Sequence, residues 1–343
     1  MLKHKLRLTP TNFNRAILCL IIFCCCFGIS KSRAQDNSSN EGTGNLKYID
    51  PRIGNVGQLL QPTRPTVQLP NQLIRMYPER SDYLDDQISS FPLTIVSHRL
   101  GEVFALKPWD KPVYIDAWKQ KLTYDNDLEV TRPWYYSTYL IDDEITVEFT
   151  TGKKAGIYRF TFPTGKTDKS LLFDLYNTGL GSWKFINGNA VEGMETYHDD
   201  IKVYMYGEFS AVGQAGTIRN NQLSNATEIQ GKGVRSWISF GKDAPPVIEF
   251  RYAISYISPA QAKANFQQEI AGKSFTDIKS NGEKAWDKAI NNIRVEGGTE
   301  AQRRSFYTAY YRCNERMVDI TEDGRYYSGF DKKNSRNQQA FLC

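Results

Sequence analysis

The chain has 343 residues, is 40% apolar and 24% charged, and carries a formal net charge of +5. Six Lys or Arg and no Asp or Glu lie in residues 1–34; taking those six from 43 leaves 37 basic against 38 acidic residues, a net charge of −1. That scattered, near-neutral remainder excludes nucleic acid as a partner, because counterion release needs a concentrated basic face.

In chain order the first element is an address. Lys3, Lys5, Arg7 and Arg15 make a positive start, Ala16 to Ile29 is an apolar run too short to span a bilayer comfortably, and Ser32-Arg33-Ala34 offers small residues for cleavage. Residues 1–34 are therefore expected to be a signal peptide and Gln35 the mature N-terminus. The mature protein is expected to be exported, periplasmic or secreted, with no membrane attachment after cleavage; an uncleaved anchor is the alternative. Cys19, Cys24, Cys25 and Cys26 leave with this segment. Cys313 and Cys343 alone cannot form a disulfide framework, and with His98 and His198 as the remaining histidines neither a thiolate metal site nor a His-rich zinc centre is supported.

Residues 35–45, rich in Asn, Ser and Gly, read as a flexible tether. Over 46–257 come short strand-like runs: Leu93 to Val96, Val113 to Ile115, Leu171 to Tyr176, Ile201 to Tyr206, Val234 to Phe240 and Val247 to Ile257. The clearest stretch is Thr131 to Pro163. There Glu144 to Phe149 and Ile157 to Phe162 alternate like half-buried antiparallel strands about a Thr150-Thr151-Gly152-Lys153 turn. Asn187-Gly188-Asn189 and Ala244-Pro245-Pro246 mark further turns. Short strands without intervening helices imply a β-sandwich.

The period then changes. Ser258-Pro259-Ala260-Gln261 starts a helix that Gly272 stops, Phe275 to Ile293 forms a second with Ile278, Trp286, Ala289, Ile290 and Ile293 on its apolar face, and Thr299-Glu300-Ala301-Gln302 is the capping box of a third. The third carries Phe306, Tyr310, Cys313 and Met317 on one stripe. Residues 258–298 are read as linker helices and 299–343 as the start of a helical domain.

Three collinear segments resemble glycoside hydrolase family 92, the calcium-dependent exo-α-mannosidases. Tyr48-Ile49-Asp50-Pro51-Arg52-Ile53-Gly54, with Pro65 to Pro70, is similar to the family's opening strand and loop. Pro133-Trp134-Tyr135-Tyr136-Ser137 and the two strands after it resemble its N-terminal domain. Phe306-Tyr307-Thr308-Ala309-Tyr310-Tyr311-Arg312 and Asp323-Gly324-Arg325-Tyr326 resemble the helix and loop that open its catalytic domain. The resemblance implies a mainly β fold: a supersandwich-like N-terminal β-sandwich, linker α-helices and the first helix of an incomplete (α/α)6 barrel. It runs to about Asp331, after which apolar periodicity is lost. The chain is accordingly expected to be truncated, and the unpartnered third helix to expose apolar surface through which copies self-associate.

Such enzymes invert configuration with one carboxylic acid and one carboxylate. The resemblance implies that both lie on the barrel, so no catalytic residue is expected in this chain. The acid pairs Asp85-Asp86, Asp142-Asp143-Glu144 and Asp199-Asp200 read as solvated turns. Asp125 to Glu129 lacks the Gly and Glu of a calcium loop, with Val130 and Tyr136 in their places. Calcium is implied for the intact enzyme, its site outside this chain. The family's sugar pocket takes a Ser-His loop from the sandwich; Ser97-His98-Arg99-Leu100-Gly101 keeps one His and loses the second. Where the family's mannose-packing Trp would fall stands Arg80-Ser81-Asp82-Tyr83. His98, Tyr83 and Asp82 are therefore the expected glycan-binding residues, and the missing Trp places α-mannose specificity in doubt. Trp109, Trp118, Trp134, Trp183 and Trp237 read as core. A non-catalytic carbohydrate-binding or supporting sandwich is the alternative, as is another glycosidase or phosphorylase with the same two-domain plan.

Overall fold

The computed structural model describes residues 44–56, 63–82, 84–96, 101–198, 200–336 and 340–342. The expected signal peptide and all but the last two tether residues lie outside them. Short strands β1 (Val67–Gln68), β2 (Arg75–Met76) and β3 (Gln87–Ile88) precede β4 (Phe91–Ile95), β5 (Glu102–Trp109) and β6 (Leu122–Thr123). Next come β7 (Val130–Arg132), β8 (Tyr135–Leu140), β9 (Ile145–Thr151), β10 (Ala155–Thr161), β11 (Ser170–Asp174), β12 (Leu180–Ile186), β13 (Ala190–Tyr197) and β14 (Ile201–Phe209). The set continues with β15 (Gln214–Arg219), β16 (Gln222–Ser224), β17 (Glu228–Lys232), β18 (Ser236–Ser239) and β19 (Val247–Ser255). Nine strands form one sheet in the order β17-β12-β13-β14-β19-β10-β9-β8-β7, and six form a second, β16-β15-β18-β11-β5-β4.

Alternation explains how the larger sheet is covered on two faces. In β10, Tyr158 and Phe160 belong to the core shared with the second sheet, whereas Ile157 belongs to a separate cluster with the helices. Tyr158 stands opposite Phe149 in the β9–β10 register, with ring centroids 4.7 Å apart. Asn187 and Gly188, at φ 51° and 69°, supply the left-handed turn that joins β12 to β13.

Helices α1 (Pro259–Glu269), α2 (Phe275–Ile290) and α3 (Glu300–Cys313) follow the sandwich. Ser258 caps α1 and Pro259 opens it; Thr299 and Gln302 form the expected reciprocal cap on α3. Gln261, three residues into the α1 cap, instead donates to Asn265 and Asp323. Trp286 locks α2 to the sandwich: it is buried, its indole N–H donates to the Gln68 carbonyl at 2.6 Å, and its ring lies 5.1 Å from that of Tyr311 on α3. After α3 the short strands β20 (Val318–Asp319) and β23 (Phe341–Leu342) pair, as do β21 (Arg325–Ser328) and β22 (Lys333–Arg336).

Three expectations are corrected. Val113 to Ile115 is not a strand; Ile115–Lys119 is a 3-10 turn, because Lys107 takes the carbonyls of Trp118 and Gln120 while the Trp109 indole takes that of Pro112. The second helix ends at Ile290, where Asn291 caps it and bonds Asp287, so Ile293 is 43% exposed. On the third helix the buried face is Tyr307, Thr308 and Tyr311, one residue round from the expected stripe: Tyr307 stacks on Tyr48 and Tyr311 bonds the Thr66 carbonyl. Phe306 and Met317 are consequently 37% and 49% exposed, and Cys313 is exposed as well. The tryptophans expected in the core are all buried.

Candidate functional site

Arg80 anchors the loop that carries Asp82. Its guanidinium is buried against the Glu129 carboxylate and the Tyr124 hydroxyl, and it lies 4.4 Å from the Tyr124 ring centroid and 4.9 Å from that of Tyr77. Tyr136 donates its hydroxyl to Glu129 at 2.7 Å. Burial opposes the charge on Arg80, but the surrounding tyrosine hydroxyls and Glu129 outweigh it and hold its pKa above the ordinary value. Beyond this clamp Asp82 is exposed and shapes its own turn, Oδ1 accepting the Leu84 N–H at 2.7 Å. Asp85 closes the loop by accepting the N–H groups of Ser81 and Gln87, each at 3.1 Å. Tyr83 and His98 lie outside the described residues. Of the three expected glycan-binding residues the structure therefore places Asp82, exposed just beyond the Arg80 clamp.

Segment 97–100 is framed on each flank. Before it, Arg75 donates to the carbonyls of Ile95, at 2.9 Å, and Val96. Burial and the neighbouring Arg316 pull the Arg75 pKa down to about 10, which leaves it cationic at neutral pH. After it, Glu102 pairs with Arg64, and the Asn177 amide donates to the Glu102 carbonyl at 3.1 Å. Arg312, at the end of α3, ties this frame to the helices: it donates to the carbonyls of Arg64 and Pro51, each at 2.5 Å, and pairs with Glu315 at 2.7 Å. The flanks of segments 57–62 and 97–100 thus meet at the C-terminal end of α3. Among the described residues no hydrogen bond or ion pair joins Asp82 to this frame. Sequence reasoning missed the frame, whose one legible sign was the Arg that ends the run Phe306 to Arg312.

Several acids prove to be structural clasps. Asp143 is buried, in contrast to the solvated turn expected of Asp142-Asp143-Glu144, because Lys111 reaches it at 2.6 Å beside Asp110, itself paired with Lys166. Burial raises its pKa while Lys111 opposes the rise. Glu148 accepts twice from Arg159, each at 2.7 Å, and once from Tyr135. Asp125 caps the turn Asn126–Leu128 through the Asp127 N–H, and Glu129 is committed to Arg80. Among the described residues no three His, Cys, Asp or Glu side chains gather where they could hold a metal ion.

The family model described as the glycosyl hydrolase family 92 N-terminal domain matches residues 48–255, and that of the family's catalytic domain matches residues 261–342. The second match passes Asp331, where the sequence reading ended the resemblance; β22, the second strand of the β21–β22 hairpin, lies in that stretch. No curated protein shows significant sequence similarity to the chain. Among solved structures, an inverting mannosidase of family 92 from Bacteroides thetaiotaomicron has a TM-score of 0.78 at 21% identity, over 87% of this chain and 43% of its own. A family 92 α-mannosidase from the same organism, solved also with mannoimidazole, gives 0.78 at 21% identity over 87% and 44%. A further family 92 glycosyl hydrolase gives 0.77 at 20% identity over 87% and 45%. These likenesses establish the shared fold, and the chain spans less than half the length of each.

Proposed function

The chain belongs to glycosyl hydrolase family 92, and on that premise we propose that it forms the sandwich and opening helices of an exported glycosidase that removes terminal α-linked sugars, mannose foremost, from glycans. The observation that carries this reading is the frame around Arg312, which holds the flanks of two sandwich loops against the end of α3. A sugar held there would touch sandwich and helical segment together. His98, Tyr83 and Asp82 supply the sandwich side: an imidazole and a carboxylate for hydroxyls and an aromatic face for sugar C–H groups.

The inverting reaction needs an acid and a base on opposite faces of the sugar ring, about 6.5–9.5 Å apart. The buried carboxylates named above are already engaged by cations or N–H donors, which supports assigning that pair, and the calcium of the whole enzyme, to residues other than these. A polypeptide of this sequence alone is then inactive. Purified protein supplied with calcium and an α-mannoside is expected to release no mannose above the blank, and sustained release would overturn this assignment. Two lesser proposals complete the reading. Residues 1–34 direct export, leaving a periplasmic or secreted protein free of the membrane, and copies associate through the exposed Phe306 and Met317 surface. Mass spectrometry of the exported N-terminus checks the first and gel filtration of Phe306→Ser the second.

A further inference from the structure

A cleft of about 410 Å³ opens where the β9–β10 turn, helices α1 and α2 and the loop 321–323 come together. Lys154 stands in its wall. This residue is only 8% exposed, yet its ammonium makes no hydrogen bond or ion pair to any described residue. Its charge is felt by Glu269, Glu322 and Asp323, but none of them bonds it, so its three N–H donors stay open to the cleft.

The acids around it are fixed in advance by other donors. Glu269 accepts the N–H groups of Lys153 and Lys154 at 2.9 and 2.8 Å, and Glu322 accepts from Tyr256 N–H at 3.0 Å and the Asn265 amide at 2.8 Å. Asp323 accepts from Gln261 at 2.7 Å and from Gln268 at 3.2 Å. Each carboxylate retains further lone pairs after these bonds. Lys153, Lys154 and Lys273 balance the three acids in the lining, so neither a free anion nor a free cation is favoured. Leu69 and Ile278, both largely buried, give the cleft an apolar floor, and Gly282 lets α2 approach Trp134 closely there.

The geometry points to a further sugar site in this cleft, one that takes one or two residues of a neutral oligosaccharide. Vicinal hydroxyls can accept from the Lys154 ammonium while donating to carboxylates already aimed, and an apolar patch suits the C–H face of a pyranose. The volume falls within the range of small-ligand pockets. Choosing a sugar among neutral polyols rests on the function proposed above, but the site is distinct from the loops of Asp82 and His98. A ligand here would contact the sandwich, the linker helices and the segment after α3.

The test titrates the full chain with α-mannobiose, and with glucuronate as an anionic control. Two sites per chain are expected, with Lys154→Met removing one and His98→Ala the other. In the unaltered protein, α-mannobiose at about ten times its Kd is expected to slow acetylation of Lys154 about tenfold, a readout that needs no variant to fold. Unchanged acetylation, or glucuronate protecting Lys154 as well as mannobiose does, overturns the cleft assignment. Protection of Lys154 with no response to His98→Ala upholds the cleft and overturns the loop site instead.

Discussion

The Glu195 carboxylate, on β13 of the nine-stranded sheet, accepts the backbone N–H of Phe104, on β5 of the six-stranded sheet, at 2.6 Å. Its other oxygen takes the N–H and side-chain amide of Asn177 at 2.6 and 2.7 Å. Phe104 sits at φ 58°, a left-handed conformation that a bulky residue keeps only when its surroundings enforce it. One buried acid thereby joins the two layers and holds the strand that follows segment 97–100.

Burial pushes the Glu195 pKa up to about 7 from 4.5, against the pull of the Phe104 and Asn177 donors. The folded state then binds the proton more tightly than the unfolded chain. Its stabilising contribution is complete below about pH 4.5 and is lost as pH rises towards 7, a swing of about 3 kcal/mol. Denaturant midpoints are expected to fall across that window. Glu195→Gln should flatten the dependence while costing about 1–3 kcal/mol, since its amide NH2 must face an N–H donor. An unchanged pH slope in the variant counts against this account.

Arg80 and Glu129 form a buried pair beneath the Asp82 loop. Removing one partner strands the other charge, so Arg80→Met is expected to cost about 3–5 kcal/mol in urea unfolding. The double variant with Glu129→Leu should recover at least half of that loss. Simple additivity of the two changes would show that the pair is not coupled.

Trp286→Ala is expected to cost about 3–5 kcal/mol, because it opens a cavity between α2, α3 and the sandwich and frees the Gln68 carbonyl. Limited proteolysis should then cut first between the sandwich and the helices. A loss below about 1 kcal/mol would mean that the helices dock without it.

Legibility in the sequence followed the local signals. Alternation between Glu144 and Phe162, the caps at Ser258 and Thr299 and the Asn187-Gly188 turn were readable because each is fixed within a few residues. Strand β5 escaped notice, since its alternation is broken by Lys107 and Pro108, and Lys107 is buried only through distant carbonyls. The face of α3 was misread by one position because Tyr48 and Thr66, far earlier in the chain, decide which tyrosines turn inward. Likewise Asp143 looked like a surface acid until Lys111, brought from 32 residues away, reached it. The frame around Arg75, Arg64, Glu102 and Arg312 consists of long-range contacts and left almost no local trace.

The claim on which the account turns is that the loops bearing Asp82, Tyr83 and His98 face a sugar. The most direct measurement is titration of the Lys154→Met protein with methyl α-mannoside, with and without His98→Ala, followed by the shift of backbone amide resonances. The account predicts saturable shifts centred on residues 81–84 and 97–102, with affinity at least tenfold weaker, about 1.4 kcal/mol, when His98 is replaced. Equal affinity in the two proteins, or shifts confined to other parts of the chain, would contradict it.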